Sequence, residues 1–263
     1  MKILFAALLL VLSAYQASAQ AEHHSRFARV ALLVPEVIAT LPHDSEAFTQ
    51  GLLFHEGRLL ESTGLYGRSS LREVDPTTGR VLRQIALEDR FFGEGLALVG
   101  DRLIQLTWRE ETALVYDLTT FTELERWSYQ GEGWGLCFDG TVLFRSDGSS
   151  TITLHNPDTF AVKGTLPVTM HGRPVPFLNE LECVGGKLYA NVFLTDMIVV
   201  IDARSGLVTA QIDARALTRA SGRPPLPDAV LNGIAYDPAE EVFYLTGKLW
   251  PTMFKVRFVP SER

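Results

Sequence analysis

Short apolar runs separated by turn residues follow one another along most of this chain. One stretch has runs at residues 95–99, 103–108, 112–117 and 123–129, with Gly-Asp and Asp-Leu-Thr-Thr segments between them. Runs this short predict β-strands, because an amphipathic helix would need a longer stretch with a period of about 3.6 residues. Each such stretch therefore predicts four antiparallel strands, whereas residues 214–221 predict one short helical turn.

A three-residue phrase recurs at the start of the first strand of each stretch. The five copies are Gln50-Gly51-Leu52, Glu94-Gly95-Leu96, Trp134-Gly135-Leu136, Asn179-Glu180-Leu181 and Asn232-Gly233-Ile234. Their leading residues are polar or aromatic and lie 44, 40, 45 and 53 positions apart. A period of about 40 to 45 residues with strand-like content is typical of a β-propeller. The chain is therefore predicted to be all-β, with five blades.

The last stretch has only three predicted strands, at residues 232–236, 242–246 and 252–258. A further strand-like segment, residues 34–41, precedes the first blade. We expect this N-terminal segment to complete the last blade, because such closure removes an open sheet edge. The propeller domain is thus predicted to span residues 34–263.

The N-terminus has the pattern of a secretory signal. Lys2 is followed by an apolar run over residues 3–15 and by the small-residue site Ala17-Ser18-Ala19. The run is shorter than the roughly 20 residues that span a bilayer. We therefore predict a signal peptide over residues 1–19, a tail over residues 20–33 and a protein exported to the periplasm or secreted, without stable membrane association.

Charge and cysteine content narrow the partners and the redox setting. The formal net charge is −7 and no run of Lys or Arg occurs, which argues against a nucleic-acid partner. Cys137 and Cys183 both lie in predicted inner strands. An exported chain permits a disulfide, but a cysteine also serves as a small apolar core residue, so the sequence leaves their pairing open.

The polar and aromatic leading residues are predicted to meet at one mouth of the propeller. In an antiparallel pair, the start of the first strand and the end of the second lie on the same face. The leading residues thus form an inner ring of Gln50, Glu94, Trp134, Asn179 and Asn232. Trp108, Phe193 and Lys248 end second strands and flank that ring. The long connection over residues 215–228 is predicted to be a rim loop beside it.

This set predicts a small-molecule site, because one carboxylate, one ammonium, carboxamides and aromatic faces converge. Taken singly, each residue also fits a turn, core or solvated position, and Asn232-Gly233 is an equally good turn signal. Their coincidence on one face favours the site. The histidines lack ligand spacing, and no nucleophile elbow or phosphate loop occurs. Carboxylate acid–base chemistry without metal or cofactor is the remaining expectation.

Two specific motifs carry a resemblance to a known family. His43-Asp44-Ser-Glu-Ala-Phe48-Thr49-Gln50-Gly51-Leu52 and Phe92-Gly93-Glu94-Gly95-Leu96 resemble segments of the propeller-type glutaminyl-peptide cyclotransferases of plants and bacteria. Trp108, Trp134, Asn179 and Lys248 match further positions in order and spacing, and the match runs over residues 34–258. One departure is Phe193, which stands where plant members place a tryptophan, and it bears on substrate preference.

The resemblance implies a five-bladed acyltransferase that needs no catalytic metal. It converts the N-terminal glutamine of peptides or proteins to pyroglutamate and releases ammonia. Glu94 and Lys248 are the implied catalytic residues. The implied substrate-binding residues are Phe48, Gln50, Phe92, Trp108, Trp134, Asn179, Phe193 and Asn232. We expect a monomer.

Two other classes remain open on the sequence. The first is a non-catalytic propeller that binds a peptide or carbohydrate on its rim. The second is a metal-dependent propeller hydrolase such as a lactonase, which needs several carboxylates around one ion. The inner ring offers Glu94 as its single acid, which counts against the second class.

Overall fold

The computed structural model describes residues 30–262. The predicted signal peptide and most of the predicted tail lie outside these residues. Nearly all the regular secondary structure of the described residues is β-strand, and its first element is a long strand, β1 (Ala31–Pro42). Within this part of the chain, no helix is long and apolar enough to cross a bilayer.

Three successive parts of the chain each form a four-stranded antiparallel sheet. The first sheet contains β2 (Thr49–His55), β3 (Arg58–Thr63), β4 (Ser70–Val74) and β5 (Val81–Ala86). The second contains β6 (Gly93–Val99), β7 (Arg102–Thr107), β8 (Thr112–Asp117) and β9 (Glu123–Ser128). The third contains β10 (Leu136–Phe138), β11 (Leu143–Arg145), β12 (Thr151–His155) and β13 (Val162–Pro167).

The rest of the chain forms a small hairpin and an eight-stranded sheet. The hairpin pairs β14 (Thr169–Met170) with β15 (Arg173–Pro174). Besides β1, the large sheet contains β16 (Leu178–Val184), β17 (Lys187–Val192), β18 (Met197–Asp202), β19 (Val208–Asp213), β20 (Leu231–Asp237), β21 (Val242–Gly247) and β22 (Thr252–Pro260). Its order is β16-β17-β18-β19-β1-β22-β21-β20. A short helix, α1 (Arg215–Ala220), precedes β20 and confirms the predicted helical turn.

Strand β1 joins the two ends of the chain. It pairs antiparallel with β22 from Leu33 opposite Pro260 to Pro42 opposite Thr252, which confirms the predicted pairing of the N-terminal segment. It also pairs in parallel with β19, starting at Ala31 opposite Ala210. Residues 31–33, predicted to be tail, therefore belong to the sheet, because β19 offers backbone partners that the sequence pattern does not reveal.

The first strands of the sheets pack beside one another in a closed order. β2 contacts β6, β6 contacts β10, β10 contacts β16, β16 contacts β20, and β20 contacts β2. The glycines of the repeated phrase permit this approach. A Cβ atom added at Gly95 would lie 2.4 Å from the backbone nitrogen of Leu136, and one at Gly135 would lie 2.1 Å from the carbonyl oxygen of Asn179. In these copies, the phrase therefore combines a polar or aromatic leading residue with a position where only hydrogen fits, whereas the fourth copy has Glu180 there.

Apolar side chains between neighbouring sheets form the core, with Leu52, Leu96, Leu136 and Ile234 of the repeated phrase buried there. Cys137 and Cys183 form a disulfide with their Cα atoms 5.5 Å apart. This bond links β10 to β16, which are the first strands of adjacent four-stranded units. It answers the question that the sequence left open.

Candidate active site

A cavity of about 270 Å³ lies where the first strands of the sheets begin. Its walls are Phe48, Gln50, Leu65, Phe92, Glu94, Trp108, Trp134, Asn179, Phe193, Asp228 and Lys248. Nine of the ten residues predicted for the site are in that set. The leading residues of four copies of the repeated phrase thus meet at this cavity, although they belong to or precede four different strands, β2, β6, β10 and β16.

Asn232 is the predicted residue that does not line the cavity. Its side chain is fully buried, and its Nδ2 donates to the carbonyl oxygen of Thr49 at 3.0 Å and to Oε1 of Gln50 at 3.5 Å. These bonds engage the amide nitrogen of Asn232, whereas its buried Oδ1 has no hydrogen-bond partner in the described structure. Asn232 therefore contacts Gln50 without lining the cavity, and its predicted contact with substrate stays a prediction.

Glu94 is the buried carboxyl group of the cavity. It is 4% exposed, and Gln50 donates from Nε2 to its Oε1 at 3.0 Å. Burial raises the pKa of Glu94 well above the ordinary glutamate value, and this effect exceeds the lowering by the positive charge of Lys248. A carboxyl group with a raised pKa holds a proton more readily than an ordinary glutamate, a property that suits a general acid or base.

Lys248 supplies the positive charge opposite Glu94. It is 4% exposed, and burial lowers its pKa to about 8 although the negative charge of Glu94 opposes that change. Its Nζ lies 4.8 Å from the ring centroid of Phe48 and 5.1 Å from that of Phe193. Aromatic faces stabilise an ammonium at these distances. Phe48 and Phe193 therefore both contact the lysine.

Aromatic rings form the remaining walls in two groups. Phe92 packs against Phe48 and Trp108, with ring centroids 6.1 Å and 5.4 Å apart. On the other side, Trp134 and Phe193 meet edge to face at 5.5 Å. These walls surround the carboxyl group with apolar surface, and the lower local dielectric strengthens electrostatic interactions within the cavity.

A buried ionic network supports the segment that carries Phe48 and Gln50. His43 contacts Oε1 of Glu61 through Nε2 at 3.0 Å and the carbonyl oxygen of Trp250 through Nδ1 at 2.7 Å. Burial is the largest single influence on the pKa of His43 and would lower it, but the charge and hydrogen bond of Glu61, the carbonyl of Trp250 and the charge of Asp44 together outweigh burial and raise it. Both ring nitrogens face acceptors, so the imidazolium form fits this place. Trp250 follows Lys248 by two positions, and the network therefore ties the two segments together.

Sequence reasoning missed two cavity residues, Leu65 and Asp228. Leu65 follows the second strand of the first sheet in a left-handed conformation, with φ of 89°. Its hydrophobic side chain carried no signal of a site. Asp228 ends the proline-rich connection, which was predicted to be a rim loop, so its position there could have identified it. In residues 30–262, no group of three or more His, Cys, Asp or Glu side chains is arranged to hold a metal ion.

These features define an all-β protein with an aromatic cavity that holds a buried carboxyl group and a buried lysine. The family model for glutamine cyclotransferases matches residues 6–258. Glutaminyl-peptide cyclotransferase of Arabidopsis thaliana is 41% identical over 227 residues, which cover 84% of this chain and 70% of that protein. The crystal structure of Myxococcus xanthus glutaminyl cyclase matches with a TM-score of 0.84 and 41% identity, over 89% of this chain and all of that one. The chain belongs to the glutamine cyclotransferase family, which confirms the resemblance.

Proposed function

We propose that this protein is an acyltransferase that converts the N-terminal glutamine of peptides and proteins to pyroglutamate and releases ammonia. Membership of the glutamine cyclotransferase family supports the reaction. The observation that carries the assignment of roles is the buried carboxyl group of Glu94 opposite Lys248 in an aromatic cavity. A cavity of about 270 Å³ has room for one glutaminyl residue but not for a folded chain.

In the proposed reaction, the α-amine attacks the γ-amide carbon of the same residue. A C–N bond forms to the α-nitrogen, the bond to the amide nitrogen breaks, and ammonia leaves. Glu94 accepts the proton that the attacking amine loses and then donates it to the departing nitrogen, so the enzyme returns to its starting state. The raised pKa of Glu94 makes its carboxylate a stronger base than that of an ordinary glutamate, which lowers the cost of accepting the proton of the amine.

Charge develops on the γ-carbonyl oxygen as the amine attacks. Lys248 supplies a buried positive charge to this oxygen, where the low local dielectric strengthens the interaction. The amide groups of Gln50 and Asn179 are further donors on the cavity wall. Gln50 also donates to Glu94, so it orients the carboxyl group between the two proton transfers.

We also propose that the fold is a five-bladed β-propeller. The closed order in which β2, β6, β10, β16 and β20 contact one another supports this count. The eight-stranded sheet then contributes two blades, β16–β19 and β20–β22 with β1, joined by the parallel pairing of β1 with β19. The signal pattern at residues 1–19 supports export to the periplasm or secretion. The acidic charge supports the proposal that nucleic acid is not a partner, and we propose a monomer.

The direct test is an ammonia-release assay with a glutamine-initiated dipeptide, in the presence and absence of a chelator. The proposed metal-independent reaction predicts equal rates in both conditions and a product that lacks a free amine. Loss of turnover in chelator with rescue by zinc would contradict metal independence. No ammonia release under either condition would support a rim-binding protein instead.

A further inference from the structure

One carboxylate outside the cavity contacts both tryptophans of its wall. Oε2 of Glu132 accepts a hydrogen bond from Nε1 of Trp108 at 2.8 Å and another from Nε1 of Trp134 at 2.9 Å. The two indoles come from different sheet units, because Trp108 follows β7 and Trp134 precedes β10. Backbone pairing holds the acceptor in place, since the nitrogen of Gly133 donates to the carbonyl oxygen of Trp108 at 2.9 Å.

The second oxygen of this carboxylate is also engaged. Nε of Arg109 donates to Oε1 of Glu132 at 3.1 Å, and the guanidinium carbon lies 3.7 Å from the ring centroid of Trp108. Partial burial raises the pKa of Glu132, but hydrogen bonds from Trp134, Trp108 and Arg109 outweigh that effect and hold its pKa below the ordinary value. The group is therefore ionised at neutral pH, and its bonds to the indoles are charge-assisted.

Stabilisation by the ion pair between Arg109 and Glu132 does not account for this arrangement. The side chains of Arg109 and Glu132 are 60% and 37% exposed, and exposed pairs contribute little to stability. Each indole has a single N–H donor, so a shared acceptor fixes the rotation of both rings relative to each other. Both rings form walls of the cavity, so their orientation affects how substrate binds there.

We propose that Glu132 is a positioning residue that holds Trp108 and Trp134 in the orientation that the glutaminyl substrate requires. This inference rests on the proposed function. Glu132 lies behind the indoles and does not line the cavity. The aromatic walls contact the substrate both before and during reaction, so their displacement raises KM more than it lowers kcat.

A matched control exists elsewhere in the chain. Trp127 on β9 donates from Nε1 to Oε2 of Glu125 at 2.8 Å, and neither residue lines the cavity. The experiment compares Glu132→Ala, Glu132→Gln and Glu125→Ala in steady-state kinetics with a glutamine-initiated dipeptide. It also measures acrylamide quenching of tryptophan fluorescence with and without that dipeptide, and thermal melting.

We expect Glu132→Ala to raise KM at least about tenfold, since loss of hydrogen bonds to a charged acceptor lowers by about that factor the fraction of protein whose indoles have the binding orientation. Glutamine keeps an amide oxygen that can accept from the indoles, so Glu132→Gln should recover most of the loss. The dipeptide should protect tryptophan from acrylamide in the wild type but much less in Glu132→Ala. Glu125→Ala should leave KM and protection unchanged.

The inference is overturned if a folded Glu132→Ala variant keeps KM within about twofold of the wild type. It is also overturned if Glu132→Gln is as impaired as Glu132→Ala, or if Glu125→Ala has the same effect. A wild type that shields its tryptophans without releasing ammonia would refute the proposed function. In that case the role of Glu132 is judged from the quenching data alone. Loss of dipeptide protection in Glu132→Ala supports that role, and unchanged protection contradicts it.

Discussion

The buried pair of His43 and Glu61 allows a quantitative prediction of stability. Both side chains are 2% exposed, and Glu61 also accepts from Oγ1 of Thr49 at 2.7 Å and lies 3.9 Å from Arg72. Glu61→Gln keeps the shape but removes the negative charge that His43 faces. Breaking a buried pair costs about 3–5 kcal/mol, and we expect the lower end, because the imidazole can lose its proton.

A loss of about 3 kcal/mol corresponds to a fall in Tm of roughly 6–12 °C. The control is Glu56→Gln, because His55 and Glu56 lie 3.9 Å apart with Glu56 85% exposed, and such a pair contributes about 0–1 kcal/mol. Urea or thermal unfolding at pH 6 measures both variants. A Glu61→Gln variant within about 1 kcal/mol of the control would refute the claim that this charge is structurally required.

The pH dependence of the same pair has a definite sign. The pKa of His43 is raised in the folded state, so its contribution to stability is fully present below about 6.5, the pKa of an unfolded histidine. It disappears as pH rises through the folded value. The pKa of Glu61 is lowered, so its contribution is present above the unfolded value and disappears as pH falls through the folded value. The difference in unfolding free energy between wild type and Glu61→Gln should therefore be largest at pH values above the unfolded pKa of glutamate and below the unfolded pKa of histidine.

Two further predictions concern the cavity and the N-terminus. Lys248→Met should lower kcat while leaving Tm nearly unchanged. Because the lysine is charged below its pKa of about 8, the alkaline limb of the wild-type pH–rate profile should be absent from the variant. A normal rate, or the same alkaline limb, would assign the lysine a structural role. The exported protein should begin at Gln20 and carry pyroglutamate there, seen by mass spectrometry as a loss of about 17 Da, the mass of ammonia. Equal pyroglutamate in wild type and Glu94→Gln would indicate spontaneous cyclisation, and another first residue would contradict the cleavage assignment.

The repeated phrase made the fold and most of the cavity predictable. Its apolar third residue reports a buried inner strand, and its glycine reports the close approach that the structure has at Gly95 and Gly135. The leading residue is left free to differ, so Glu94 and Trp134 could be predicted to face a common mouth. Only the two-residue alternation of side chains along a strand and the antiparallel direction of the neighbouring strand are needed for this prediction.

What the sequence did not reveal depends on contacts between distant segments. His43 bonds to the carbonyl oxygen of a residue 207 positions away, and no local pattern signals such a partner. Asn232 has the same phrase position as Glu94, yet it does not line the cavity, and its amide nitrogen donates to acceptors on Thr49 and Gln50. Glu132 precedes its phrase by two positions and resembles an ordinary turn residue until both indoles are placed.

The central claim is that Glu94 carries the proton in glutamine cyclisation, and the most direct test is the rate of Glu94→Gln. Glutamine keeps the size of the side chain and an oxygen for Gln50, but it cannot accept the proton of the amine. We predict that ammonia release from a glutamine-initiated dipeptide falls by about 10²–10⁴-fold while Tm does not decrease. A folded Glu94→Gln variant that forms pyroglutamate at a rate near that of the wild type would contradict it.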